Sequence, residues 1–275
     1  MLLEFETASN LIRIHLKENN FLSNLVNAKD MKKIVVMSGK GGVGKSTVAA
    51  NIAFTLVMKN YKVGLLDCDI HGPSIPKILG LEHVGGLEVS DGKLKPVEVE
   101  GLKVVSIGFM LPSRDSPVIW RGPIKHGFIK QVLEDVNWGE LDYLIIDCPP
   151  GTGDELISVV QLAKPDAAVI VTTPQSVAIE DVRKAINFAK KGIQKIFLIE
   201  NMSGLICPYC KNKIDVFGSG GGKKLAEEMN VKFIGSIPLD PEIMKSCEDG
   251  KPFVKLNTNS AEIFKNIVDN IIKEV

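Results

Sequence analysis

Arginine is scarce in this sequence, and the overall charge is balanced. Four arginines stand against 29 lysines in 275 residues, so a mechanism that needs an arginine finger has few candidates. Lysine plus arginine and aspartate plus glutamate each total 33, which gives a formal net charge of zero. A balanced charge argues against a protein that coats nucleic acid and against a polybasic membrane anchor. We therefore expect neither nucleic acid nor a membrane as a partner.

The sequence also lacks long apolar runs and a cysteine-rich disulfide pattern. The uncharged stretch 46–58 is too short to span a bilayer, and residues 1–30 lack the apolar core of a secretory signal. Five cysteines are an odd and sparse set for a disulfide-stabilised secreted protein. These absences predict a soluble, cytoplasmic protein whose cysteines stay reduced.

Short apolar runs do recur along the chain, with amphipathic helices between most of them. The runs show no polar alternation, which is typical of strands buried on both faces. Such an order predicts a doubly wound, mostly parallel α/β sheet of about seven to eight strands, with helices on both faces. The predicted strands are 33–38, 62–67, 102–108, 143–147, 167–173, 196–201 and 233–238. The predicted helices include 45–59, 124–135, 179–191 and 222–229, and Asp91–Gly92 predicts a hairpin insertion.

A glycine-rich loop follows the first predicted strand. Its sequence, SGKGGVGKST (residues 38–47), fits the phosphate-binding pattern G-x-x-x-x-G-K-[ST]. The glycines allow backbone amides to wrap a phosphate at the positive end of the next helix, while Lys45 would neutralise phosphate and Ser46 would ligate Mg²⁺. We therefore predict a single P-loop ATPase domain over 32–275 after an N-terminal extension, 1–31, with ATP and Mg²⁺ as cofactors. The predicted nucleotide-binding residues in the loop are Gly41, Gly42, Val43, Gly44, Lys45, Ser46 and Thr47.

Aspartates end two further predicted strands. Asp147 follows the apolar run YLII, and Asp67 and Asp69 follow another strand. The carboxyl ends of parallel strands share one edge of the sheet, where ligands of open α/β sheets bind. One carboxylate can hold Mg²⁺-bound water while another orients the attacking water. The alternative for Asp67 is that it only caps a turn.

A second lysine, Lys40, lies inside the phosphate loop, five residues before Lys45. A loop with this extra lysine resembles the deviant Walker A loop of the MinD/ParA superfamily. In that superfamily the extra lysine reaches the nucleotide of a second subunit and does the work of an arginine finger. The resemblance implies an ATP-sandwich homodimer in which both lysines are catalytic.

Two cysteines, Cys207 and Cys210, stand at C-x-x-C spacing in GLICPYCKNK (residues 204–213). Such a pair can bind metal, hold an iron–sulfur cluster or act as a redox dithiol. A [4Fe–4S] cluster or a structural zinc usually takes four protein ligands, and two chains related by a two-fold axis supply four. This count predicts a shared site between two copies of the chain.

Several ordered motifs together resemble the Mrp/ApbC family of iron–sulfur cluster carriers. They are NMSGLICPYC (201–210), FGSGGGKKLAEE (217–228), DCDIHGPSIPKILG (67–80), IWRGPIK (119–125) and DCPPGTGDE (147–155). The resemblance runs from about residue 32 onward. Some bacterial relatives in that family carry an extra N-terminal assembly domain, and some eukaryotic relatives carry an N-terminal four-cysteine cluster. Neither feature is matched here, since only residues 1–31 precede the region of resemblance and no cysteine precedes Cys68.

The resemblance implies a slow, Mg-dependent ATPase that carries a cluster, most simply [4Fe–4S], and transfers it to apoproteins. Cys207 and Cys210 would hold the cluster between two subunits, and a cluster-assembly scaffold would be the donor. Asp69 would be the hydrolytic carboxylate. From their places at the strand ends, Asp67 and Asp147 are predicted to bind the nucleotide and its Mg²⁺. Asn201 lies where the superfamily reads adenine.

Three other classes of protein remain open at this point. CPYC also occurs in glutaredoxins, although no thioredoxin-like pattern surrounds it here. The nitrogenase iron protein shares the nucleotide fold, but its cluster cysteines come from separate segments. The main alternative is a MinD/ParA-type positioning ATPase whose C-x-x-C is a structural zinc clasp. The amphipathic C-terminal segment 261–275 favours core packing over membrane binding.

The remaining cysteines and the histidines are assigned no site. Cys68, Cys148 and Cys247 are predicted to be small buried residues. The four histidines lack metal-ligand spacing, and only His71 lies close to a candidate site residue, Asp69.

Overall fold

A computed structural model describes residues 31–70, 72–110, 122–207, 209–210 and 212–275. The predicted N-terminal extension therefore lies outside the described residues except for Met31, as do His71 and the start of the IWRGPIK motif. The domain boundary at residue 32 stays a prediction.

Strands and helices alternate along most of the described chain. The strands are β1 (Lys32–Ser38), β2 (Val63–Asp67), β3 (Val89–Ser90), β4 (Lys93–Leu94), β5 (Val97–Val99), β6 (Leu102–Ser106), β7 (Tyr143–Asp147), β8 (Ala167–Thr172), β9 (Lys195–Glu200), β10 (Leu205–Ile206), β11 (Lys213–Ile214) and β12 (Lys232–Ser236). The helices are α1 (Lys45–Met58), α2 (Ile75–Ile78), α3 (Gly122–Glu134), α4 (Asp154–Ala163), α5 (Ser176–Ala189), α6 (Gly221–Glu228), α7 (Pro241–Glu248) and α8 (Asn259–Glu274).

Eight of the strands form one sheet in the order β12-β9-β8-β1-β7-β2-β6-β5. Seven of them are parallel, and β5 pairs antiparallel with β6 at one edge. The predicted fold class is confirmed, and each of the seven predicted strands matches an observed strand to within two residues. The sheet is fully buried along β2, β7 and β8, which explains why their sequences are apolar without alternation.

Helices cover both faces of this sheet and form two apolar cores. On one face α1 and α8 pack together, with Phe264, Ile267 and Ile271 buried, so the predicted apolar face of the C-terminal helix is confirmed. On the other face α3, α4, α5 and α6 bury residues such as Ile129 and Leu225. No helix in the described ranges combines the length and the apolar character that crossing a membrane requires.

Two short hairpins stand apart from the sheet. The β3–β4 pair contains the predicted Asp91–Gly92 turn, and both turn residues have positive φ (53° and 74°), as a tight hairpin turn requires. The β10–β11 pair was not predicted as a hairpin, and it contains the C-x-x-C segment. Its position after β9 brings the cysteines to the same end of the sheet as the phosphate loop.

The register of the parallel strands fixes the geometry of the site. Asp67 at the end of β2 pairs with Asp147 at the end of β7, and β7 pairs in turn with β1, which leads into the phosphate loop. All three segments therefore leave the sheet at its carboxyl edge, side by side.

Candidate functional site

The phosphate loop (residues 39–46) needs glycine at specific points. Gly42 and Gly44 have φ values of 77° and 85°, in the left-handed region that side chains disfavour. A Cβ on Gly44 would lie 2.2 Å from Asn201 Nδ2, so the neighbouring Asn201 leaves no room for a side chain at this position. Gly44 directly precedes α1, whose first amides are thereby directed towards the loop.

Lys45 is the centre of a buried ion cluster. Its Nζ lies 2.7 Å from Asp147 Oδ1 and 3.5 Å from Asp69 Oδ2, and it donates to Ser46 Oγ at 3.2 Å. Burial alone would lower the pKa of Lys45, but the Asp147 and Asp69 carboxylates raise the pKa above its usual value. Lys45 is therefore a permanent cation at the base of the loop, as phosphate binding requires.

Asp67 lies beneath this cluster, fully buried, and bonds to its neighbours rather than to the cavity. Ser106 donates its hydroxyl to Asp67 Oδ2 at 2.8 Å, and the Asp69 amide donates to Oδ1 at 3.0 Å. Burial and the nearby Asp147 charge raise the pKa of Asp67 to about 7, against the opposing effect of Lys45. Asp67 thus holds the turn that carries Asp69, as the turn-capping alternative expects, and its part in nucleotide binding stays a prediction.

Asp147 has one carboxylate oxygen whose surroundings suit a Mg²⁺ site. Its Oδ1 bonds to Lys45, whereas its Oδ2 is buried and has no hydrogen-bond partner among the described residues. Buried carboxylate oxygens are almost always satisfied, by protein or by ordered water. Together with the adjacent Ser46 hydroxyl, this oxygen fits the water shell of a Mg²⁺ ion, which prefers hydroxyl, carboxylate and water ligands.

A cavity of about 350 Å³ opens over the phosphate loop. It is lined by the predicted residues Lys40, Gly41, Gly42, Gly44, Lys45, Ser46, Thr47 and Asp69. Residues from α2 and α7 close its other side, and they were not predicted: Lys77, Ile78, Cys247 and Glu248. The structure therefore brings most of the predicted phosphate-loop residues onto one cavity.

On the side of the cavity formed by α7, Cys247 differs from the prediction that it is a buried residue. Cys247 is half-buried rather than buried, and its Sγ lies 3.9 Å from Thr47 Oγ1. Lys77 and Glu248 form an ion pair with Nζ and Oε2 2.5 Å apart between α2 and α7. The apolar pattern of the sequence gave no signal for this contact, because α7 is far from the phosphate loop along the chain.

Two predicted residues have positions that leave their roles open. Lys40 is half-buried at the rim of the cavity, and its carbonyl accepts from Ser38 Oγ at 2.9 Å. Asn201 is buried at the end of β9, and its Nδ2 donates to the Val43 carbonyl at 2.9 Å. The Lys40 contact with a second nucleotide and the Asn201 contact with adenine both stay predictions.

The cysteine hairpin (residues 204–218, described except for 208 and 211) lies beside this end of the sheet. Cys207 is half-buried and Cys210 is exposed, and the Cys207 amide donates to the Asn212 carbonyl at 2.9 Å. Large apolar side chains on the hairpin face outward, with exposed fractions of 49% for Ile206, 93% for Tyr209 and 49% for Val216. Among the residues that the structure describes, no group of three or more His, Cys, Asp or Glu is arranged to hold a metal ion.

Cys68 and Cys148 are separate from the hairpin. Both are fully buried on the opposite face from Asp67 and Asp147, and burial raises the pKa of each thiol. The prediction that they are small buried residues is confirmed, and neither is poised for thiolate chemistry.

Comparison with known proteins gives consistent matches over most of the chain. The model of a family described as "ParA: NUBPL iron-transfer P-loop NTPase" matches residues 29–272. The "Iron-sulfur cluster carrier protein" of Methanocaldococcus jannaschii is 50% identical over 250 residues, covering 90% of this chain and 86% of that protein. The "Cytosolic Fe-S cluster assembly factor CFD1" of Kluyveromyces lactis is 49% identical, covering 93% and 95% of the two chains.

A solved structure agrees with these sequence matches. The nucleotide-binding protein from Archaeoglobus fulgidus, determined in complex with ADP, superposes with a TM-score of 0.75 at 41% identity. The match covers 87% of this chain and 95% of the other. The similarity therefore extends to the arrangement of the sheet and helices around the phosphate loop.

Proposed function

The chain belongs to the ParA/NUBPL family of iron-transfer P-loop NTPases, and on that premise we propose that it is an ATP-dependent iron–sulfur cluster carrier. Two copies hold one [4Fe–4S] cluster as cargo between their Cys207 and Cys210 pairs and transfer it to apoproteins. A cluster-assembly scaffold supplies the cluster, and the work takes place in the cytoplasm. The names of the relatives, a cluster carrier protein and a cytosolic assembly factor, support this assignment.

The nucleotide site supports Mg-dependent ATP hydrolysis. Lys45 neutralises phosphate, and Ser46 and Asp147 hold Mg²⁺, which supplies charge neutralisation at the transferred phosphate when bound. Asp69 lies on the cavity and orients the attacking water, and Asp67 fixes the turn that carries Asp69. Lys40 reaches towards the nucleotide of the second copy. Turnover is slow, because the nucleotide acts as a switch between dimer shapes.

The observation that carries the proposal is the exposed cysteine hairpin next to a nucleotide cavity. Two cysteines in one chain supply two cluster ligands, and two chains supply the four that a [4Fe–4S] cluster usually takes. Ile206, Tyr209 and Val216 on the same hairpin also have exposed apolar side chains. Several exposed apolar side chains on one short segment suit contact with another protein rather than with water.

Anaerobic reconstitution with iron and sulfide tests the cargo directly. We expect about four irons and four sulfides per dimer, with a visible iron–thiolate absorption band. The variant with Cys207→Ser and Cys210→Ser should lose both, while Cys247→Ser is the matched control and should keep them. Tightly bound zinc in the wild type with no competent cluster would instead indicate a MinD/ParA-type switch whose C-x-x-C is a structural clasp.

Transfer to a recipient completes the test. An apo iron–sulfur enzyme mixed with the loaded dimer should gain activity, and the recipient mixed with the double cysteine variant should not. A loaded dimer that retains its cluster in the presence of every recipient tried, with and without MgATP, would contradict a carrier function.

A further inference from the structure

We propose that Glu200 and Asn201, two consecutive residues at the end of β9, connect the phosphate loop to the cysteine hairpin, with Glu200 as the residue that positions the hairpin. The inference rests on the proposed function, because it explains how nucleotide state reaches the cluster cysteines. Neither residue was predicted from the sequence to act on the hairpin.

Glu200 accepts hydrogen bonds from residues on both sides of the hairpin, and we call these contacts the Glu200 clamp. Its carboxylate is fully buried and accepts from Ser203 Oγ at 2.6 Å, just before β10. It also accepts from the backbone amides of Gly220 at 2.9 Å and Gly222 at 2.6 Å, just after the hairpin. A buried carboxylate that accepts from three donors is held firmly in place, since moving it would leave buried donors unsatisfied.

Two glycines that follow the hairpin, Gly220 and Gly222, make these hydrogen bonds to Glu200 possible. Gly220 has a φ of 80° and caps the start of α6, so its amide turns towards β9. A Cβ on Gly222 would lie 3.1 Å from Glu200 Oε2 and 3.2 Å from Thr172 Cγ2. The glycine-rich segment that leads into the first turn of α6 (residues 218–222) therefore allows close backbone approach to Glu200, which is a reason for its composition.

The hairpin is held at its base and is exposed beyond it. Its entry is paired to the segment before α7: the Ser203 amide donates to the Ile237 carbonyl at 2.9 Å, and the Leu239 amide donates to the Gly204 carbonyl at 2.8 Å. Beyond that base, β10 and β11 pair over only two residues each. The orientation of the cysteines therefore depends on the base contacts, of which Glu200 makes three.

Asn201 makes the contact on the nucleotide side. Its Nδ2 donates to the Val43 carbonyl at 2.9 Å and fills the space beside Gly44, which has no Cβ. A shift of the phosphate loop on nucleotide binding therefore moves Asn201, and the peptide bond between Asn201 and Glu200 carries that shift to the clamp. The coupling is a contiguous set of hydrogen bonds through one pair of neighbouring residues.

The test measures thiol reactivity in the cluster-free, reduced chain. Iodoacetamide modification of the hairpin cysteines is followed by peptide mass spectrometry, with and without saturating MgATP. The lysines between them place Cys210 and Cys247 on separate tryptic peptides, and Cys68 and Cys148 are fully buried. The assay therefore reports on the hairpin alone and does not require the cluster.

Binding at one site typically changes the affinity of a coupled site by roughly 5- to 150-fold. We therefore expect MgATP to change the rate at which iodoacetamide modifies the wild-type hairpin cysteines by at least about fivefold. In Glu200→Gln the change should fall below about twofold, while the affinity for a fluorescent ATP analogue stays within about twofold of wild type. Glu227→Gln on the exposed face of α6 is the matched control and should retain the full wild-type response.

An unchanged nucleotide response in Glu200→Gln would overturn the proposal. So would a wild type whose hairpin cysteines react equally with and without MgATP, although cluster reconstitution would then still support the carrier function. Should Glu200→Gln fail to fold, Ser203→Ala removes only one of the three donors. That variant should show a response between wild type and none, and a full response would again overturn the proposal.

Discussion

The phosphate loop and the cysteine hairpin sit at the same end of the sheet but are built in opposite ways. Around the loop the charged groups are buried and paired, as Lys45 is with Asp147 and Asp69. On the hairpin the side chains face outward, and Tyr209 is 93% exposed. The loop is a site that one chain nearly completes, whereas in our proposal a second copy of the chain completes the site on the hairpin. Changes in the two regions should therefore have different consequences.

The largest effect is expected from removing the cation of the loop. Lys45→Ala should weaken ATP binding by at least about 100-fold, the scale of losing a charged donor from a preorganised site. Asp69→Asn should keep binding within a few-fold and slow hydrolysis by about 100-fold, as expected for loss of a group that orients water. Titration with a fluorescent ATP analogue and phosphate-release assays separate the two effects.

Lys59→Ala is the control for this pair, because Lys59 forms a half-exposed surface ion pair with Asp269. It should leave binding and hydrolysis unchanged. Wild-type ATP affinity in Lys45→Ala would contradict the assignment of the loop, and equal hydrolysis in Asp69→Asn would contradict that of Asp69.

A second pair of variants tests how tightly the loop is built. Gly44→Ala places a methyl group 2.2 Å from Asn201 Nδ2 at a φ of 85°, so we expect the free energy of unfolding to fall by about 2–4 kcal/mol. Gly41→Ala meets nothing within 4 Å and should cost less than about 1 kcal/mol. Urea unfolding measures both, and equal stability of the two variants would contradict the steric argument.

The buried carboxylates predict an unusual pH dependence. In the folded state the pKa of Asp67 is raised to about 7, so the folded protein holds this proton more tightly than the unfolded chain does. The resulting stabilisation is full below about pH 4 and is lost as the pH rises towards 7, with a slope of at most about 1.4 kcal/mol per pH unit.

Asp67→Asn removes this titration while keeping the shape of the side chain. The difference in unfolding free energy between pH 5 and pH 7 should therefore shrink by up to about 2 kcal/mol relative to wild type. Urea titrations of both proteins at the two pH values measure the change. The same pH dependence in the variant and the wild type would mean that Asp67 is ionised throughout.

The smallest effect on the fold is expected on the hairpin. Tyr209→Ala should change the free energy of unfolding by less than about 0.5 kcal/mol, because the side chain is almost fully exposed. It should weaken the proposed dimer about tenfold, since exposed aromatic residues commonly anchor interfaces. Sedimentation equilibrium measures dimer dissociation, with Val89→Ala as an exposed apolar control outside the hairpin. Equal dimer dissociation constants for the two variants would show that Tyr209 does not contribute to the dimer interface.

The fold and the nucleotide site were largely predictable because their signals are local. Strands such as Tyr143–Asp147 are apolar runs followed by a polar residue, and the phosphate loop is one uninterrupted segment. The resemblance to iron–sulfur cluster carriers, drawn from several such segments, is confirmed by the family match over residues 29–272. Helix α4 was not among the helices named from the sequence.

The contacts that the sequence could not predict join residues that are far apart along the chain. Ser106 bonds to Asp67 from 39 residues away, and Cys247 approaches Thr47 from 200 residues away. Glu200 reads in the sequence only as a charged residue near the end of a strand. Its three donors became visible only in the folded chain.

The sequence by itself determined the strands, the phosphate loop, the aspartates at the strand ends and the cysteine pair, because backbone preference and apolar periodicity act over a few residues. Tertiary structure alone decided which of these groups meet. Lys45 and Asp147 pair across 102 residues because parallel strands β1 and β7 lie side by side. Cys210 is exposed because its hairpin leaves the sheet beyond β9, held at its base by a buried carboxylate.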